Sequence, residues 1–205
     1  MSKAVKVLFY DLETTGLHPS KHGIHQLSGR LYINWKLVKE FNCHVRPFEG
    51  DEIDDYSLKI AGKTRADLAN EHHVHPHLVY RALLKTLNTY CDRFDKQDKY
   101  FLAGYNNASF DNPFLRNFFE KNDDKYFGSY FWSSPIDCFI LASQALMARR
   151  HLMADFKLST VAQEMGIPVD ESKLHDALYD LDLTIALYSQ ITGVKLSNEL
   201  VGQRS

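Results

Sequence analysis

The sequence predicts an α/β domain in which a mixed sheet is covered by helices, and three observations carry that prediction. An apolar, β-branched first segment, "AVKVLFYDLE", is followed by two more strand-like runs. After them come a helix of period 3.6, a short apolar strand and several further helices, the order of a sheet flanked on its faces. The 205 residues also contain no internal repeat, linker or low-complexity run, and their number suits one sizeable core rather than two.

Each element has its own signal. "AVKVLFYDLE" reads as a buried strand ending near Glu13, because Gly16 and Pro19 follow. "GIHQLSGRLYINWKLVKEFNCHVRP" gives two more strands, with Ile24, Leu31, Ile33, Trp35 and Val38 in near alternation and a stop at Pro47. Residues 48–70 are acidic and turn-rich, with short helices expected around 57–61 and 66–70. Leu78, Ala82, Leu83, Leu87, Tyr90 and Phe94 then recur at helical spacing and predict an amphipathic helix. "YFLAGYN" is a short buried strand, and "NPFLRNFFEK" a helix with Pro113 in its first turn. "IDCFILASQALMARRHL" and "STVAQEMGI" are further helices. The last is "DALYDLDLTIALYSQIT", with Ala177, Leu181, Thr184, Ile185 and Tyr188 on one side. The domain is expected to span 1–195, followed by a tail, 196–205.

Composition excludes more than it assigns. A hydrophobic content of 44% and a charged content of 24% are those of a soluble globular chain, not of a disordered, collagenous or coiled-coil one. No apolar run approaches the roughly 18 residues of a membrane span, and the first strand runs into an acidic turn rather than a cleavage site; a cytoplasmic protein without a membrane partner is expected. Cys43, Cys91 and Cys138 are isolated, so they read as buried thiols rather than a disulfide framework or a zinc site. A formal charge of -2 supplies no overall basic footprint for gripping a long duplex.

Three sets of acids stand out. Asp11 and Glu13 are two apart at the end of a strand, so their carboxylates point to the same side. Either they mark a solvated strand end or they share a cation. Asp111 follows the second buried strand signal just before Pro113, as a helix cap or as another acid for the same site. "LHDALYDLD" holds His175, Asp176, Asp180 and Asp182 at the start of the last helix. Asp176 and Asp180 share a face, whereas His175 is turned by about 140° from Asp180 on an ideal helix. For His175 and Asp180 to act together, His175 must lie in the loop or in a loose first turn. The histidines of "EHHVHPH" read as a solvated loop because Pro76 interrupts helical ligand spacing, and Arg149 and Arg150 read as phosphate contacts or surface charges.

"YDLETTGL", "NNASFDNPFL" and "HDALYDLDLT" resemble, in order, the three motifs of the DEDDh group of 3′-to-5′ exonucleases, which includes the proofreading subunit of bacterial replicative polymerases and oligoribonuclease. "SLKIAGKTRADL", "PIDCFILA" and "KLSTVAQEMGIP" look like the family's intervening segments, so the resemblance covers about residues 5 to 190. It implies a ribonuclease H-like fold with a five-stranded mixed sheet. It also implies two divalent ions, Mg²⁺ or Mn²⁺, on Asp11, Glu13, Asp111 and Asp180, with His175 as general base. Thr14, Thr15 and Gly16 would cradle the 3′-terminal nucleotide and Leu17 would wedge against its base, with Asn107 and Phe110 as further contacts. Tyr105, Phe110 and Phe114 are either contacts or core rings. Two departures from the family pattern are Asp176, directly after the histidine and able to tune its charge, and Tyr105-Asn106, where many relatives carry His-Asn. The function this implies is two-metal hydrolysis of 3′ ends, of single-stranded DNA in the first place, with RNA ends or a non-catalytic binding module as the alternatives. A polymerase or other protein is the expected kind of partner; the oligomeric state is not legible.

Overall fold

The computed structural model describes residues 3–70, 72–197 and 199–200. Glu71 of the histidine-rich stretch, and Asn198 and 201–205 of the expected tail, lie outside the described residues. Five strands form one sheet: β1 (Lys6–Thr14), β2 (Ile24–Ile33), β3 (Lys36–His44), β4 (Phe101–Gly104) and β5 (Ile136–Asp137), in the spatial order β3-β2-β1-β4-β5. The β1–β2–β3 meander is antiparallel, while β4 and β5 join parallel to β1, so the sheet is mixed. The helices are α1 (Asp55–Ile60), α2 (Arg65–Leu68), α3 (Pro76–Tyr90), α4 (Asp111–Glu120), α5 (Phe127–Tyr130), α6 (Cys138–Ala145), α7 (Leu158–Glu164) and α8 (Ala177–Thr192). No described helix is long and apolar enough to cross a membrane.

The period of two along β1 builds a core on each side of the sheet. Leu8, Tyr10 and Leu12 pack with α3, α4 and α5 through Leu83, Leu87, Phe118, Phe119 and Phe127. Val7 and Phe9 point the other way, against α6, α7 and α8 through Ala142, Val161, Leu181 and Tyr188. Asp11 and Glu13 continue the Val7–Phe9 row, so the same alternation that buries Phe9 against Tyr188, with ring centroids 5.1 Å apart, aims the two acids at the start of α8.

Four local expectations are corrected. Trp35 is not on a strand: Asn34 and Trp35 form the two-residue turn of the β2–β3 hairpin at φ 48° and 66°, the paired positive angles such a turn requires. In α3 the buried row is Val79, Tyr80, Leu83 and Leu87; Leu78 is 56% exposed, Ala82 is also exposed, and Phe94 lies beyond the helix end, 84% exposed. Leu83 and Leu87 of the expected row are buried, and the ring contacts of Tyr80 with Phe118 and Phe119 turn the face toward Val79 and Tyr80 and away from Leu78 and Ala82. The helix expected through residue 152 stops at Ala145, and a separate 3₁₀ turn covers Arg150–Leu152. Arg149 there pairs with Glu164 of α7, and the Arg150 guanidinium sits 5.0 Å over the Phe156 ring. Finally, the histidine-rich stretch is not wholly solvated: His73 is buried, 5.4 Å from the His44 ring, and Val74 bridges to Val45.

The edge strand β3 is covered near both ends. Ser197 makes a parallel bridge at Lys36, and Val74 makes one at Val45, just past His44. Lys39 and Glu40 stand exposed between them.

Candidate active site

The site forms where three chain segments meet at the C-terminal ends of β1 and β4. β1 supplies Asp11 and Glu13. The loop after β4 leads into α4, whose first residue is Asp111; the cap position is Phe110, which makes no side-chain cap bond. Asp111 is therefore free of the capping role, and its Oδ1 instead accepts from the backbone N–H of Leu12 at 3.1 Å, tying the second acid segment to the first. Asp137 fixes that loop, accepting from the N–H groups of Asn106 at 2.9 Å and Ala108 at 3.2 Å. α8 supplies Asp180 from its first turn.

His175 lies before the helix, as its rotation demands, with Asp176 as the cap residue. Its φ of 67° is left-handed, an unfavourable region for a residue with a Cβ. Neighbouring bonds hold it there: its N–H donates to Asp180 Oδ2 at 3.3 Å, and Asp176 Oδ1 accepts from Leu178 and Tyr179. Donor atoms of Glu13, His175 and Asp180 all lie within 4.8 Å of one another.

The electrostatics extend this trio to all four acids. Burial raises Asp11 well above the usual carboxylate range, and Asp111, Glu13 and Asp180 push it further. Glu13 is raised to about 8 by burial first and then by Asp180, Asp111 and Asp176, with Lys63 opposing. Burial raises Asp111 to about 7 against the bond from Leu12, and Asp180 to about 6. Four carboxylates raised by burial, two of them, Asp11 and Glu13, raised further by the other acids, are a poor arrangement by themselves and a good one around a hard cation. Asp180 Oδ1 is buried without a hydrogen-bond partner among the described residues, an oxygen left open for such an ion, so the residues present fit a divalent metal. His175 is lowered by burial and then by Lys157, which keeps its imidazole neutral near pH 7.

Beside the acids, a cleft of about 570 Å³ is lined by Tyr105, Phe139, Phe156, Lys157, His175 and Asp180 among others. Phe139, Phe156 and Lys157 were not marked by any spacing in the sequence, nor was Lys63; only folding brings them to the site. On the other side, the 14–23 loop is internally braced. The Thr15 hydroxyl donates to Glu52 O at 2.7 Å and accepts from Gly23 N at 2.9 Å, Thr14 donates to Gly16 O, and Asn117 reaches Pro19 O. Both threonine hydroxyls are thus engaged by backbone groups, Thr14 within the loop and Thr15 with Gly23 and Glu52, whereas Leu17 is 68% exposed. Asn107 is fully buried, and Phe110 is half-buried against Phe114, itself in the core. The Tyr105 hydroxyl bonds Phe156 O at 2.6 Å. The charge of Asp176 raises Asp11 and Glu13 rather than shifting His175, and Asp182 turns away to pair with Arg30.

A ribonuclease H-like sheet carrying this acid cluster defines a nuclease of the DEDD exonuclease type. The zinc-bound form of an E. coli exonuclease I complex with single-stranded DNA superposes with a TM-score of 0.72 at 21% identity, over 93% of this chain and 41% of that one. The chain belongs to the exonuclease family, RNase T, whose pattern matches residues 8–188, and it is an enzyme, an exonuclease. Ribonuclease T of Hahella chejuensis is 28% identical over 88% of this chain and 80% of that protein. Exodeoxyribonuclease I of Buchnera aphidicola is 29% identical over 89% of this chain, but the chain spans only 38% of it. Dependence on divalent metal is typical of the family.

Proposed function

We propose that this chain releases nucleoside monophosphates one at a time from the 3′ end of a single strand, with DNA the first substrate and His175 the general base. The observation that carries the reading is the meeting of Glu13, His175 and Asp180 within 4.8 Å, beside Asp11 and Asp111 and next to a cleft with aromatic walls.

Asp11, Glu13, Asp111 and Asp180 would hold two divalent ions, Mg²⁺ or Mn²⁺ by the preference of hard cations for carboxylate oxygens. When bound, such ions supply Lewis-acid charge to the phosphoryl oxygens and make a water acidic. The chain's own residues do the rest. The neutral imidazole of His175 takes the proton of the attacking water at a ring nitrogen. Lys157, at the cleft wall, adds positive charge where a backbone phosphate enters and keeps His175 unprotonated. Leu17, held out by the braced loop, packs against the terminal base, while Thr14, Thr15 and Gly16 shape the backbone beneath it. Tyr105 and Phe139 offer faces for an unpaired base, and stacking of that kind tolerates any sequence. The net charge of -2 suits short contacts at a strand end, or a partner protein that holds the enzyme on its substrate.

RNA is the second reading, favoured by the fuller match to ribonuclease T than to exodeoxyribonuclease I. The test is a time course on 5′-labelled single-stranded DNA, duplex DNA and short RNA in Mg²⁺, Mn²⁺ and EDTA. Stepwise ladders on a single strand that vanish in EDTA are expected; no cleavage of any substrate with either metal would overturn the proposal.

A further inference from the structure

Five carboxylates crowd this site, and hydrogen bonding separates one of them from the rest. Asp180 Oδ1 has no partner among the described residues, whereas both oxygens of Asp176 are engaged: Oδ1 accepts from Leu178 and Tyr179 at 3.1 and 3.2 Å, and Oδ2 accepts from Gln26 Nε2 at 3.2 Å. An acid so saturated is a poor ligand and a good anchor. Gln26 is only 2% exposed and lies on β2 directly across from Glu13 in the register. The same Nε2 donates to Asn42 Oδ1 on β3 at 3.1 Å, and Asn42 also accepts from Ser28 at 2.9 Å. A polar chain therefore crosses the sheet from β3 through β2 to the cap of α8.

We infer that Gln26 and Asp176 are a positioning pair, tethering the start of α8 to the sheet so that His175 keeps its left-handed backbone and its place beside Glu13 and Asp180. A residue at φ 67° persists only where its surroundings over-determine it. The cap at Asp176 is the next residue, and Gln26 ties it to the strand that faces Glu13. Without that tie the 174–176 segment is free to relax its backbone, and the imidazole moves away from the reacting water. Neither member of the pair touches substrate.

The inference rests on the proposed role of His175, and a polarity-swap experiment separates the two. Gln26→Glu sets two carboxylates against each other, and kcat is expected to fall at least tenfold with KM within twofold. Asp176→Asn keeps the Oδ1 cap but loses the acceptor for Gln26, and about a fivefold loss is expected. In the double variant, Gln26→Glu with Asp176→Asn, the new side-chain amide on α8 donates to the new carboxylate on β2, and the bond returns with its direction reversed. Activity at least fivefold above the product of the two single losses is the expected result, and losses that multiply would overturn the pair. If thermal unfolding shows that Gln26→Glu does not fold, Gln26→Met replaces it; combined with Asp176→Asn it is expected to be no worse than Gln26→Met alone, and multiplying losses again overturn the inference. Multiplying losses in an active enzyme leave the His175 reading standing, while an inactive wild type removes both.

Discussion

At the scale of single residues, burial and hydrogen bonding assign different work to side chains of the same type. Asp111 and Asp180 raise Asp11 and Glu13, Asp176 caps α8, and Asp182 pairs with Arg30, three different uses for the acids of one short segment. His175→Ala is expected to lower kcat by about 10²- to 10⁴-fold, the usual range for losing a general base. Divalent-metal binding, followed by calorimetry, should change little; near-normal turnover would remove His175 from the mechanism. Gly16 makes a second residue-scale test. A Cβ there would lie 2.1 Å from the His22 ring, which is itself buried behind the loop. Gly16→Ala should therefore cost about 1–3 kcal/mol by overpacking, read from denaturant midpoints, and should raise KM more than it lowers kcat.

At the scale of elements, the strands and the helix order were legible because period-two and period-3.6 patterns are local. So was the placement of His175 off the helix, since rotation on a helix follows from residue count alone. What could not be read are features set by distant partners. Spacing placed Leu83 and Leu87 inward in α3 but also Leu78 and Ala82; the contacts of Tyr80 with the rings of Phe118 and Phe119 on α4 set the final rotation of the helix. Leu83→Ala should accordingly cost about 2–5 kcal/mol, while Leu78→Ala stays within about 0.5, measured by thermal or urea unfolding. Comparable effects at the two positions would contradict the orientation of the helix. The early end of α6 likewise reflects Arg149 meeting Glu164 and Arg150 meeting Phe156. Four site acids and the histidine stood out in sequence by type and order, whereas Gln26, Lys63, Phe139 and Lys157 lie in runs legible only as a strand or as segments between the motifs, and Phe156 in none of them; only the fold brings these side chains to the site.

At the scale of the whole molecule, the acid cluster sets how stability depends on pH. Glu13 at about 8, Asp111 at about 7 and Asp180 at about 6 all lie above the unfolded carboxylate value of roughly 4. Between those limits the folded protein holds more protons than the unfolded chain, so stability falls as pH rises. Buried His25, lowered to about 4, opposes this trend below the unfolded histidine value of roughly 6.5, so metal-free protein should melt at progressively lower temperature from about pH 6.5 to pH 8, and millimolar Mg²⁺ or Mn²⁺ should flatten or reverse the trend; a metal-free melting temperature that rises over this interval would contradict the clustering. The sheet edges carry a separate consequence for the assembled molecule. β5 is two residues long, and β3 is bridged by Ser197 near one end and Val74 near the other, with Lys39 and Glu40 between. A second sheet seeking to extend this one would find at most a charged window a few residues wide, too short for copies of the chain to stack edge to edge into a growing fibre.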